Sequence, residues 1–358
     1  MLSRKTAVYK TSYAADLALQ RVFLSRLAFW LAISALVLLP LAASRYWLNI
    51  ANLVLISVVA TVGLNILVGY AGSISVGHAA FALVGAFTVA IVSSRWDVPM
   101  LIGLPLAGIV AALVGAFFGI PSLRVKGLYL AIATLAAQFI LEWFVQHAPW
   151  LTGLAGRQQT IYLPDPAITL PGLPAIPIAT EAERYYLFLG LALASMFFGE
   201  NLFRTRIGRA LIAMRDHDVA AQTMGIAIFR YKLLAFTISA FYAGVAGAML
   251  AYHLGAVTHE PFTIGLSIQW LAMIIVGGLG SIPGAILGSI FLTMLPIGLR
   301  EFVDILRPSL PFLADRYANI RDMLFGVVVL AFLILEPEGL YKLWRNIRNY
   351  FDRWPFSY

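Results

Sequence analysis

Apolar residues run along this chain in ten blocks, at 27–44, 49–69, 74–93, 100–119, 128–146, 185–203, 232–252, 264–280, 283–299 and 320–336. Each comes close to the roughly 20 apolar residues a helix needs to cross a ~30 Å hydrocarbon core. Proline marks several block ends, at Pro99, Pro121, Pro149 and Pro337, where it is tolerated. The pattern predicts an all-α integral membrane protein of about ten transmembrane helices. The blocks 74–93 and 283–299 are rich in glycine, and the pattern leaves open whether each crosses fully or is re-entrant or broken. The first block follows a basic tail (1–26) and reads as a signal-anchor helix that stays in place.

Direction follows from the basic residues. With the N-terminus inside, the inner segments are 1–26, the turn holding Arg124 and Lys126, the loop 204–232 and the tail 341–358. These hold 17 of the 25 Lys and Arg residues, the bias expected of cytoplasmic loops. Both termini are therefore expected in the cytoplasm. The segment 300–321 runs against the bias, with Arg300, Arg307, Arg316 and Arg321. Between the tails lies a membrane domain, 27–340, carrying a Pro- and Gly-rich outer loop at 147–184 and the inner loop 204–232. The outer loop reads equally as a lid or docking surface and as a simple connector.

Composition agrees with this picture. The chain is 61% hydrophobic and only 12% charged, with a mean hydropathy of +0.86, against roughly half and a quarter in soluble domains. The net charge of +8 fits positive-inside loops and membrane lipid rather than nucleic acid. There is no cysteine, so thiolate chemistry and disulfides are excluded. No phosphate-binding G-x-x-x-x-G-K-[ST], no H-E-x-x-H and no G-x-S-x-G is present, and His78, His147, His217, His253 and His259 do not cluster. Any ATP, with its magnesium, must be bound by another chain. Within the blocks the ionisable residues are His78, Glu142 and Glu200. No row of carboxylates crosses the membrane, which disfavours an ion-coupled secondary transporter, and an enzyme lacks a nucleophile or metal cluster.

Two motifs carry the functional reading. In the inner loop, Ile207, Leu211 and Met214 recur at helical spacing beside Arg206, Arg209 and Arg215, an amphipathic pattern. Asp216 and Asp218 follow as expected N-caps of a short helix over 219–224, which contains Ala220 and Ala221 and stops at Gly225. Such a helix suits either a docking element or a lipid anchor. The second motif is a repeat. Val68-Gly69-Tyr70-Ala71-Gly72-Ser73-Ile74 recurs as Val276-Gly277-Gly278-Leu279-Gly280-Ser281-Ile282, five positions of seven being identical. Paired interruptions in two parts of a membrane protein point to a transport path, and simple small-residue packing is the alternative. The candidate path residues are Gly69, Gly72, Ser73, Ser75, Gly77, His78, Gly277, Gly278, Gly280 and Ser281.

The stretch Gly69-Tyr70-Ala71-Gly72-Ser73-Ile74-Ser75-Val76-Gly77-His78-Ala79-Ala80-Phe81 resembles the LivM-type permeases of branched-chain amino acid ABC transporters. So do Arg124-Val125-Lys126-Gly127-Leu128-Tyr129-Leu130, the inner loop from Gly208 to Lys232, Val276 to Ser281, and Glu336-Pro337-Glu338-Gly339-Leu340. The resemblance is colinear over about 50–340. It implies an importer of the bacterial inner membrane with a second, LivH-like permease, two cytoplasmic ATPases that use ATP and Mg, and an extracytoplasmic solute-binding protein. No cofactor is expected on this chain. Carried over, Ala220, Ala221 and Gly225 match the A-A-x-x-x-G segment that touches the ATPases, with Arg209, Arg215, Asp216 and Asp218 around it. The usual Glu before the alanine pair is Val219 here. Thr152-Gly153-Leu154-Ala155-Gly156-Arg157 departs from the family's T-G-G pattern, which admits urea, short amides or aromatic acids as alternative cargo.

Overall fold

The computed structural model describes residues 23–123, 127–148, 160–164, 167–168, 176–178, 180–306, 316–336 and 338–353. The N-terminal tail to residue 22, Arg124, Lys126, the 152–157 departure, Arg307 and Pro337 lie outside the described residues. Among them the chain forms thirteen α-helices: α1 (Phe23–Ala42), α2 (Arg45–Asn65), α3 (His78–Trp96), α4 (Met100–Ser122), α5 (Leu128–His147), α6 (Glu181–Arg204), α7 (Arg206–Asp216), α8 (Asp218–Thr223), α9 (Ile228–Leu254), α10 (Ile264–Gly277), α11 (Ile282–Leu306), α12 (Tyr317–Leu335) and α13 (Leu340–Arg353). The ten apolar blocks each fall on a helix. Eight helices are long and apolar enough to span a bilayer, and the protein is an all-α, multi-pass membrane protein.

The two glycine-rich blocks behave differently. Helix α11 runs unbroken through 283–299, with Pro296 inside it. The shortened helix is its partner α10, whose 14 residues rise only about 21 Å. It stops at Gly277 because Gly278 takes φ +123°, a conformation side chains rarely adopt. The block 74–93 is broken at its start: residues 71–77 are non-helical and α3 begins at His78.

Helix α9 is the centre of the bundle, packed on α4, α3 and α2, while α2 also holds α6 and α11, and α10 pairs with α11. Small residues permit this. A Cβ on Gly247 of α9 would strike the Ala82 carbonyl of α3, and one on Gly85 would strike the Gly244 backbone. The two backbones touch, so dispersion replaces the hydrophobic drive that lipid cannot supply. Gly247→Leu is expected to force α3 and α9 apart and sharply reduce the yield of monodisperse protein in detergent. Gly190→Leu, where a Cβ meets nothing within 4 Å, is the control expected to leave yield unchanged.

The helix ends sort into two poles. At one, β1 (Ile161–Tyr162) pairs antiparallel with β4 (Ala256–Val257), while β2 (Ala167–Ile168) pairs with β3 (Ile176–Pro177). Thr180 and Glu183 form a reciprocal capping box on α6. Glu181 accepts a bond from Asn52 at 3.1 Å. The other pole holds both glycine motifs, α7, α8 and α13. The tail 341–358 thus contains a helix that the apolar pattern did not predict.

Candidate functional site

Both glycine motifs become tight turns at the ends of apolar helices. In the first, α2 widens into a π turn over Ile66–Tyr70, the Ser73 amide reaches back to the Leu67 carbonyl at 3.0 Å, and Gly72 takes φ +64°. In the second, the aligned Gly280 takes φ +75°. Ser281 caps α11, its Oγ accepting the Gly284 amide at 3.0 Å. Glycine at these matched positions is required by backbone conformation, so the repeat is a structural one.

The turns lie against each other. Buried Asn65 joins them: its Oδ1 accepts the Gly280 amide at 2.9 Å and its Nδ2 donates to the Ser281 carbonyl at 2.8 Å. A Cβ on Gly69 would strike the Gly280 nitrogen. Tyr70 stacks on Phe203 at the end of α6, ring centroids 3.4 Å apart. A polar residue in an apolar block was the only sequence signal for Asn65, and the inventory of ionisable groups passed over it.

The inner-loop helices meet this junction. Helix α7 is amphipathic as expected, burying Gly208, Ala210, Leu211 and Met214. Exposed Arg209 donates to the Arg204 carbonyl at 3.0 Å. Arg215 reaches inward, its Nη1 donating to the Gly69 carbonyl at 2.9 Å. Its stem lies 3.1 Å from where a Gly72 Cβ would stand, and its Nη1 2.7 Å from a Gly280 Cβ. One arginine therefore touches both left-handed glycines.

The aspartates do not cap as expected. Asp216 ends α7 and holds the Arg215 guanidinium, accepting from Nε at 3.1 Å and Nη2 at 3.0 Å. The N-cap of α8 is His217, with extended backbone, and Asp218 is its first helical residue. A first-turn carboxylate there still favours the helix dipole. The stop at Gly225 is as expected. With φ +83°, Gly225 donates to Gln222 and Ile226 to Ala221, the paired bonds of a Schellman end. Ala221 is buried beneath this end, whereas Ala220, Val219 (62% exposed) and Met224 (84% exposed) stand open. Beside them a groove of about 590 Å³ is lined by Leu123, Gln222, Gly225, Phe229 and Lys232 among others.

Gly77 and His78 belong to a different cluster. A Cβ on Gly77 would strike the Thr134 carbonyl of α5. His78 Nε2 lies 3.2 Å from the Ala60 carbonyl, and its ring stands edge-on to Trp270. Because α3 starts inside the bundle, its free amides need protein partners. Val76 donates to Thr134 Oγ1 at 3.0 Å. Ala79 donates to Ser267 Oγ at 2.8 Å, Ser267 donates to Gln138 Oε1 at 3.3 Å, and Gln138 Nε2 donates to the Phe262 carbonyl at 2.8 Å. Ser73 is buried with Oγ 3.5 Å from the Ala71 carbonyl, and the buried Ser75 hydroxyl has no hydrogen-bond partner among the described residues. Ser267→Ala is expected to destabilise the protein by about 1–3 kcal/mol, the penalty for orphaning a buried amide, read as a lower unfolding temperature. Ser267→Thr, which keeps the hydroxyl, should lose less.

A family model described as "Branched-chain amino acid transport system / permease component" matches residues 46–333. The chain belongs to that family. Similar relatives include the proteins named "High-affinity branched-chain amino acid transport system permease protein LivM". The Escherichia coli (strain K12) protein is 33% identical, over 86% of this chain and 72% of its own. The Salmonella typhimurium protein is 31% identical with the same coverage. A "Probable branched-chain amino acid transport permease protein LivH" of Methanocaldococcus jannaschii is 27% identical, over 75% of this chain and 83% of its own. As a member of the permease family this chain is a transport component rather than an enzyme. The family match covers both glycine turns, α7, α8 and the polar cluster at the start of α3.

Proposed function

We propose that this chain is one permease subunit of an ATP-binding-cassette importer that carries branched-chain or related amino acids across the bacterial inner membrane by alternating access. The observation that carries the reading is Arg215: it ties the exposed α7–α8 surface to both glycine turns at once. The pole bearing α7, α8 and α13 is then cytoplasmic, with both termini on that side. Two separate ATPases bind ATP and Mg and dock on Val219, Ala220 and Met224. Val219 replaces the family's Glu, so this contact is apolar rather than ionic. A second, LivH-like permease completes the membrane pair. A solute-binding protein docks at the opposite pole, on the 147–184 segment and the β1–β4 ribbon.

When the ATPases close, they displace α8. The Schellman end makes α8 stiff, and Arg215 passes the movement to the Gly69 and Gly280 turns, where backbone without side chains repositions easily. Short α10, ended by Gly277 and Gly278, then shifts against α2 and opens the path inward.

The test is ATP-driven uptake of labelled leucine into vesicles holding both permeases and the ATPases, with binding protein supplied outside. Uptake by this chain alone on an ion gradient would overturn the reading. Within that assay, Gly225→Pro removes the amide bonded to Gln222 and cannot reach φ +83°. Ala221→Arg forces a cation into a buried position. Each is expected to cut uptake by about tenfold or more, a loss of ~1.4 kcal/mol of coupling, while ATP hydrolysis continues. Wild-type uptake by both would remove α8 from the coupling path.

A further inference from the structure

Helix α13 presents an exposed apolar stripe. Leu340, which packs against the bundle core, leads at helical spacing into Leu343, Trp344 and Ile347, which stand exposed. Trp344 is 55% exposed and Ile347 52%. The opposite side is polar, with Lys342, Arg345 and Asn346.

The place of this helix in the fold identifies what meets the stripe. It follows α12, a candidate span whose residues are all at least partly exposed and whose last residues, Ile334 and Leu335, are exposed too. Exposed apolar residues thus line α12 up to that end. A sharp turn follows: Gly339, at φ +72°, donates to the Glu336 carbonyl at 2.8 Å. Lys342 pairs with Glu336 at 3.4 Å and with Glu338 at 3.6 Å, and Arg345 with Glu338 at 2.7 Å. These pairs fix the direction in which α13 leaves the membrane span.

We propose that α13 lies in the bilayer interface at the α7–α8 pole, its Leu343–Trp344–Ile347 stripe inserted beside the acyl chains and its polar face turned to the headgroups and water. Tryptophan and basic residues that snorkel are the groups suited to that depth. The helix is also a strut. A Cβ on Gly339 would stand 2.6 Å from the Gly278 nitrogen and 2.7 Å from the Val276 carbonyl, and Tyr341 packs over Gly278. The second glycine turn is therefore held from below by a helix that the lipid surface holds in its turn.

The chain has no cysteine, so single cysteines report without background. The full chain carrying Ile347→Cys or Asn346→Cys is spin-labelled and placed in mixed phosphatidylethanolamine–phosphatidylglycerol vesicles. The expected result is a 347 label relaxed by oxygen and a 346 label relaxed by a water-soluble nickel chelate. Both labels meeting the chelate would overturn the proposal. A 347 label shielded from both reagents would also overturn it, since a protein partner or second copy would then cover the stripe. A third variant, Ile347→Asp with the label at Leu343→Cys, is expected to move that label from oxygen to chelate. If it moves and uptake by the assembled transporter stays at the wild-type rate, the strut role is overturned while the lipid contact stands. The label measurements need no transport, so they fail or succeed independently of the proposed import function.

Discussion

Arg215→Ala is expected to reduce ATP-driven uptake by about ten- to a hundredfold while leaving membrane insertion and ATP hydrolysis in place. The guanidinium donates to the Gly69 carbonyl, sits against Gly280 and is held in that pose by Asp216, while the side-chain stem lies against Gly72. A hydrogen bond from a charged donor contributes about 1.5–3 kcal/mol, and each ~1.4 kcal/mol is a factor of ten. Alanine removes the bond to Gly69 and the contact with Gly280, leaving only the Cβ beside Gly72. Arg215→Lys discriminates a charge from a shaped connection. Lysine keeps one donor but lacks the planar fork that serves Gly69 and Asp216 together, so its uptake should lie nearer to alanine than to wild type. The measurement is uptake and hydrolysis in the same vesicles. Parallel loss of both would mean that Arg215 supports folding or docking and does not transmit movement.

Asn65→Leu is expected to produce the largest loss of stability of any single change at the site. Its two bonds satisfy the part-buried Gly280 amide and the buried Ser281 carbonyl. Orphaning a buried backbone group costs about 1–3 kcal/mol, and leucine orphans two. Asn65→Asp separates the two bonds. It keeps an acceptor for Gly280 but places an oxygen against the Ser281 carbonyl, so it should also destabilise. Thermal unfolding in detergent gives the order: wild type highest, both variants well below. An unfolding temperature for Asn65→Leu equal to wild type would show that the turns do not depend on this clamp.

Much of the site was readable residue by residue. The glycine repeat stood out as five identities in seven, and its aligned Gly72 and Gly280 share a left-handed backbone. Gly225 was readable as a stop because only glycine takes that conformation easily. The amphipathic face of α7 was readable from period alone. Other features were not. Arg215 was visible as a charge, but its partner Gly69 lies 146 positions away, a distance no local pattern bridges. Asn65, Gln138 and Ser267 are uncharged residues in apolar blocks, and nothing local separates a packing polar group from a clamp. In Asp216-His217-Asp218 three adjacent polar residues competed for one cap. Propensity favoured the aspartates. The docked position of α7 gave Asp216 to Arg215 and left His217 with the extended backbone.

By itself the sequence determined that this chain lies in a membrane, where its apolar helices fall, and which segments carry glycine turns and a polar loop. Those features follow from transfer free energy and backbone sterics, which act on each residue and its near neighbours. Only the tertiary structure decided that the break belongs to α10 rather than α11, that Asn65 joins the two turns, that Arg215 touches both, and that α13 braces one of them. Each is a contact between segments far apart in the chain, chosen by which helix backbones can approach closely enough to meet buried amides and carbonyls.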